Sequence, residues 1–326
     1  MNKREAPFKN CSMKLNKLHL AIVAIIVTNL IWGASVPLFK WSLQDVPPFT
    51  FAFLRFFLAS LILLPFTFHH LKISSKALLQ LTLLAFLGFF LHISLLLFGL
   101  TLSSSLNAPI IASSAPIFLI IGGFFLLHEK IKIKTAIGTL ISLIGICIVV
   151  LRPLIDTGFD SSIVGNILFI LSTLTLVLYT LLLREYNLPY RATTITFWMF
   201  AIATAIFFPF FLWESGSSNV LSQLTFQGIA GILFGAIFTS VIAYVFYNFA
   251  IKRVPTNEIG VFLYIDPIVT ALIAVPLLGE KITTLFIIGS IFVFLGIFVA
   301  EGRLHYHPLQ KFKNNHSSDT DNASSS

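Results

Sequence analysis

The sequence predicts an all-α integral membrane protein, with ten transmembrane helices forming two inverted five-helix repeats. Three observations predict it. First, 57% of the 326 residues are hydrophobic and only 10% are charged, whereas a typical soluble domain carries about 25% charged residues. Mean hydropathy is +0.94, and a soluble core could not hide that much apolar surface. Second, ten apolar runs approach the roughly 20 residues that a bilayer crossing needs: 19–39, 49–68, 77–99, 107–127, 134–151, 163–183, 192–213, 224–250, 257–278 and 284–301. Third, the string Leu-Leu-x-Glu-Lys-Ile occurs twice, as Leu126–Ile131 and Leu277–Ile282, with an offset of 151 residues. Strands alternating over ten residues are absent, which argues against a barrel and leaves helices as the expected backbone solution in lipid.

Residues 1–18 form a basic polar tail. The run 19–39 is too long for a cleaved signal peptide and contains Trp32 and Pro37, so it is read as the first span. The first repeat covers 19–151, the linker 152–162 with Pro153 and Gly158 reads as an extracytoplasmic loop, and the second repeat covers 163–301. The offset of 151 also pairs Phe98 with Phe249, Pro116 with Pro267, Gly138 with Gly289 and Gly145 with Gly296. Nearer the start of each half an offset of 144 pairs Lys40 with Arg184 and Pro65 with Pro209. Residues 302–326, rich in Ser, Asn, His and Lys, cannot bury a core and are expected to be a disordered cytoplasmic tail.

Five spans per half is an odd number, so the second half enters the membrane from the opposite side. Charge agrees. With the N-terminus in the cytoplasm, 17 Lys and Arg fall on that side, among them Lys72, Lys76, Lys130, Lys132, Lys134 and Arg191; only Lys40, Arg152 and Lys281 fall opposite. This is the positive-inside bias, and it predicts a multi-pass protein with both termini cytoplasmic. The net charge of +8 is thereby a topology signal, which leaves no nucleic-acid role to explain. Cys11 and Cys147 sit in a tail and a span, where neither a disulfide nor a metal site is expected.

Duplicated halves around a central cavity are the usual build of secondary transporters. The chain carries no HExxH, no GxSxG and no GxxxxGK, so enzyme chemistry, a cofactor and a built-in ATPase are not expected. A passive facilitator or channel stays open as the alternative, and a polytopic membrane enzyme is a weaker one.

Asn29-Leu30-Ile31-Trp32-Gly33-Ala34-Ser35 in the first run, Arg55 in the second, and Asp266-Pro267 followed by Leu277-Leu278-Gly279-Glu280-Lys281 resemble the drug/metabolite transporter superfamily, in its ten-helix EamA-type permeases. The resemblance covers nearly all of 19–301, taking in both repeats. It implies a permease of the bacterial inner membrane that moves small metabolites, often an exporter of amino acids or related compounds. The first copy of the motif departs from the pattern, with His128 in place of glycine.

The candidate substrate-binding residues are Asp266, Arg55, Trp32, Asn29, Tyr244, Asn248 and His92. Asp266 lies mid-span, where an acid costs at least ~2.5–3.5 kcal/mol and is expected to face a cavity or partner. It fits a coupling proton or a substrate amine; alternatively it caps a half-helix starting at Pro267. Its counterpart in the first repeat is Ala115. Arg55 fits a substrate carboxylate, or its stem snorkels to the interface. Trp32 with Asn29, and Tyr244 with Asn248, lie three and four residues apart and so share helix faces. His92 is mid-span and could titrate near neutral pH. Asn107 and Tyr179 are weaker candidates. Glu129-Lys130 and Glu280-Lys281 are read as helix-end residues, solvated or paired. Gly138, Gly145, Gly289, Gly296, Gly231 and Gly235 are read as packing residues. The expected partners are therefore a small-molecule substrate, the lipid bilayer and a coupling proton, with a homodimer left open.

Overall fold

The computed structural model describes residues 6–118, 133–156, 160–186, 188–216, 224–251 and 262–300. Among them every regular element is a helix. Seven are long and apolar enough to cross a membrane, and two shorter apolar helices accompany them, Ile265–Leu278 and Thr284–Val299. Large apolar side chains turned outward, such as Leu79, Phe226 and Leu272, are 71–79% exposed. Such a surface would aggregate in water but is solvated by lipid tails.

Helix α1 (Ala6–Ser42) starts well before the predicted first span. Nothing between Pro7 and Gly33 breaks a helix, and a proline in the first turn removes no intrahelical hydrogen bond. Helix α2 (Pro48–Thr67) begins on a proline at its first position, where the lost N–H is not needed. Its start is capped from across the fold. Glu214 accepts hydrogen bonds from the backbone N–H groups of Phe49 and Thr50, at 3.1 and 2.6 Å, and from the Thr50 hydroxyl at 2.9 Å.

The third span is built from α3 (Ser75–Ala85), a π-helical segment (Phe86–Leu91) and α4 (His92–Leu102). Next come α5 (Asn107–Ala112), α6 (Ile133–Asp156), α7 (Ser161–Tyr186) and α8 (Ala192–Gly216). The eighth span repeats the plan of the third, with α9 (Phe226–Phe234), a π segment (Gly235–Ile242) and α10 (Ala243–Ile251). The repeat offset of 151 carries one π segment onto the other. Helices α11 (Ile265–Leu278) and α12 (Thr284–Ala300) complete the chain.

The fourth run departs from a continuous span. A turn at Ser113–Ser114 interrupts the helix after α5, and both serines bond back to carbonyls of α5 through their hydroxyls. That side-chain competition with the backbone is the local cause. Helix resumes at 115–118; residues 119–127 of this run lie outside the described residues, as do the first Leu-Leu-x-Glu-Lys-Ile copy, the linker's central residues 157–159 and the C-terminal tail.

Helices of the two halves pack on each other, most closely where small residues permit it. Helix α6 lies on α12 so closely that a Cβ on Gly145 would sit 2.6 Å from the Val293 nitrogen, and one on Gly289 would sit 2.6 Å from Val149 Cγ2. The two glycine faces predicted for packing thus meet one another. Helix α2 pairs with α8 through Phe56, Phe200 and Phe207, with ring centroids 5.4–5.9 Å apart. Helix α4 meets α7 at Gly99 and Gly165, and α1 meets α11 at Gly33. Thr270 of α11 secures the last pair by donating its hydroxyl to the Gly33 carbonyl at 2.7 Å.

Candidate functional site

A cavity of about 120 Å3 lies between the halves, walled by α1, α2, α4, α5 and α7 and by the second π segment, α10 and α11. Its space suits a compact solute; pockets for drug-sized ligands run to roughly 300–1,000 Å3. Most of the wall is apolar and aromatic, with Trp32, Phe39, Phe169, Leu176 and Tyr244 prominent. Trp32 packs edge-on against Tyr244 at 5.4 Å between centroids, and Tyr244 in turn contacts Phe89 at 5.1 Å.

Arg55 projects from α2 and is 1% exposed, so its stem does not snorkel to the interface. Two features of the partner helix draw it inward. Gly235 has no side chain to block its stem, and a Cβ there would lie 3.1 Å from Arg55 Cδ. Ser240 accepts a hydrogen bond from Arg55 Nε at 2.8 Å. The guanidinium carbon lies 4.8 Å from the Phe39 ring centre and 5.0 Å from that of Phe56, an electrostatically favourable seat for a cation. Nη1 is buried without a hydrogen-bond partner. Gly235, read from sequence as a packing residue, is therefore part of the charged site.

Asp266 sits in the first turn of α11. The helix begins at Ile265, two residues earlier than a cap by Asp266 would require, and Tyr264 occupies the N-cap position without a side-chain cap bond. Asp266 Oδ1 is buried and makes no hydrogen bond. Asp266 is thus not at the N-cap position, and this oxygen accepts from none of the orphan N–H groups that a cap would satisfy.

His92 opens α4 directly after the first π segment. Its Nδ1 lies 2.9 Å from the Ser172 carbonyl oxygen and 2.7 Å from the Ser172 hydroxyl, which joins α4 to α7. The predicted residues Asp266, Arg55, Trp32, Tyr244 and His92 thus come together around one space. Asn29 and Asn248 are placed elsewhere. Asn29 is fully buried and donates to the Ile25 carbonyl in its own helix at 2.7 Å. Asn248 donates to Thr196 Oγ1 at 2.8 Å and so ties α10 to α8. Tyr179 packs over Gly88 and reaches Met199 Sδ, while Asn107 belongs to a hydrogen-bonded group with Ser103 and Asn166.

Sequence reasoning missed Thr239, Ser240 and Ser172. Thr239 lines the cavity with an unpartnered buried hydroxyl, and Ser240 orients Arg55. Adjacent small polar residues in the middle of an apolar run were the available signal. The π segment that aims them was not legible, since π turns depend on how neighbouring helices pack and cluster at functional sites. Among the described residues no three His, Cys, Asp or Glu side chains gather as metal ligands.

Comparison with known proteins places this architecture. The profile of the EamA-like transporter family matches residues 19–151 and again 163–301. An uncharacterized transporter of Archaeoglobus fulgidus is 29% identical over 295 residues, covering 89% of this chain and 99% of its own length. The uncharacterized transporter YetK of Bacillus subtilis is 29% identical over 284 residues, covering 86% of each chain. A solved crystal structure shares the fold at a TM-score of 0.61 with 17% identity, over 87% of this chain and 95% of the other. With both repeats matched and an all-helical, multi-pass membrane architecture built around a shared cavity, the chain belongs to the EamA-like transporter family.

Proposed function

We propose that this transporter is a secondary active carrier of compact metabolites bearing both an amine and a carboxylate, such as amino acids, working by alternating access at the bacterial inner membrane. One observation carries the reading. Arg55 Nη1, Thr239 Oγ1 and Asp266 Oδ1 are buried, lack partners and belong to side chains lining one cavity between the halves. Buried polar atoms without partners are rare in native proteins and call for a reason. A ligand carboxylate would satisfy the guanidinium, a ligand ammonium would satisfy Asp266, and the aromatic wall would take an apolar body. Asp266 is also the group suited to a coupling proton.

The charge bias supports cytoplasmic termini, with the end carrying Lys40 and Glu280 outside. The resemblance to metabolite exporters supports outward transport. Counterflow in proteoliposomes tests the reading. Vesicles loaded with one unlabelled amino acid at a time should accumulate the same labelled compound transiently and saturably. Linear flux without counterflow would point to a facilitator, and conversion of the solute to a product would point to an enzyme.

A further inference from the structure

Glu280 joins the two halves at one end of the bundle. Gly279 ends α11 in the left-handed region, at φ 65°, and its N–H bonds the Val275 carbonyl at 3.1 Å. A Cβ there would meet nothing within 4 Å, so glycine is required by the backbone turn and not by space. The next residue, Glu280, is turned back over the α4–α5 loop of the other half.

Its carboxylate is fully engaged. Oε1 accepts from Lys40 Nζ at 2.9 Å and from the Ser105 backbone N–H at 2.8 Å. Oε2 accepts from the hydroxyls of Ser104 and Ser105 at 2.7 and 2.9 Å, and from the Leu106 N–H at 3.2 Å. Lys40 also donates to the Ser103 carbonyl at 2.6 Å. One side chain therefore gathers the end of α1, the α4–α5 loop and the end of α11. Below it the same loop is tied to α7, where Ser103 Oγ and Asn107 Nδ2 both donate to Asn166 Oδ1, at 2.6 and 2.9 Å.

We propose that Glu280 is the latch of the extracytoplasmic gate, holding that end shut through Lys40 and the Ser104–Leu106 turn, and that its release opens the central cavity outward. The proposal rests on the carrier reading above. Three features make this contact a latch in place of a permanent rivet. Its bonds run between the halves, which alternating access must separate at this end. The Lys40 and Glu280 side chains are 25% and 10% exposed, so water is at hand to take over each hydrogen bond as it breaks. Deeper in the bundle the halves also meet through close glycine faces and aromatic rings, which move as rigid packed units, whereas the ion pair at this end can open without repacking a core.

The test uses the full chain with Cys11 and Cys147 replaced by serine and one cysteine introduced as Ala112→Cys, in the cavity wall. Right-side-out and inside-out vesicles are treated with a membrane-impermeant thiol reagent. Glu280→Gln and Lys40→Gln should each speed labelling about tenfold or more in right-side-out vesicles only. Ser105→Ala, which keeps the ion pair, should give a smaller increase in the same direction. Unchanged labelling in all three variants, or faster labelling from the inside, overturns the latch. Folding is checked by equal total labelling after detergent denaturation and by monodisperse elution before it. A second arm joins Lys40→Cys to Glu280→Cys with a short bis-maleimide. The joined protein should lose counterflow and the unjoined double variant should keep it; full counterflow after joining sinks the proposal. If the parent protein exchanges no solute at all, the carrier reading fails, while the labelling arm still decides whether Glu280 holds the gate.

Discussion

Arg55 of α2 donates its Nε to the hydroxyl of Ser240, 2.8 Å away in the π segment of the eighth span. The pair joins the first half to the second beside the cavity. It leaves Nη1 unpartnered, although the whole side chain is buried. A guanidinium can serve a fixed partner and a ligand together because its five donors form a rigid fork.

Arg55→Lys should therefore fail to substitute. An ammonium has no fork and cannot hold Ser240 while meeting a second acceptor. A charge-assisted hydrogen bond is worth ~1.5–3 kcal/mol, so apparent affinity in counterflow should fall about ten- to a hundredfold. Ser240→Ala should lower affinity less, since the charge stays in place. Affinity at the wild-type level in Arg55→Lys would remove Arg55 from the ligand site.

Asp266 leads to a separation of stability from activity. Its Oδ1 is buried without a partner, and the residue caps no helix. A buried unpaired acid is costly, so Asp266→Asn and Asp266→Ala should both fold with a Tm equal to or above that of the parent. Transport should nonetheless fail in Ala. In Asn, loss of pH-driven accumulation with retained exchange identifies a proton site, while a tenfold or greater loss of binding identifies an amine site. Full transport in both variants would exclude Asp266.

Glycine substitutions should sort by mechanism. Gly145→Val places its Cβ against the backbone of α12, where an unadjusted fit is 2.6 Å from a main-chain nitrogen. Thermal unfolding in detergent should show a loss of several degrees or failure to fold. Gly279→Ala has open space around it but a φ of 65°, and the strain of a non-glycine residue there is about 1–3 kcal/mol. Gly216→Ala, with nothing near its Cβ, should leave Tm within a degree or so.

Acid should open the Lys40–Glu280 contact only at low pH. Burial raises the Glu280 carboxyl, but the Lys40 ammonium and the hydrogen bonds from Lys40, Ser104 and Ser105 outweigh it and hold the group below its ordinary 4.5. For a depressed carboxylate the stabilisation is present above the unfolded value and is lost as pH falls through the folded one. Labelling of Ala112→Cys, normalised to denatured protein at each pH, should stay flat from neutrality to 4.5 and rise only below it. A rise near pH 6 would assign the opening to another group.

The sequence by itself determined the helical membrane architecture, because apolar runs of bilayer length have few backbone solutions in lipid. It determined the duplication, because the Leu-Leu-x-Glu-Lys-Ile strings and their accompanying glycines keep one spacing. It singled out Asp266 and Arg55 as well, since charges inside apolar runs are conspicuous whatever their surroundings. Tertiary structure decided the rest. The pairing of Gly145 with Gly289, the seat of Arg55 against Phe39 of α1, and the grip of Lys40 and Ser104 on Glu280 join separate elements, with the two Glu280 partners 240 and 176 positions away in sequence. Asn29 and Asn248 show the same limit from the other side. Periodicity puts them on the faces of Trp32 and Tyr244, but only the rotation and packing of each helix decide whether a face meets the cavity, its own carbonyls or a neighbouring helix.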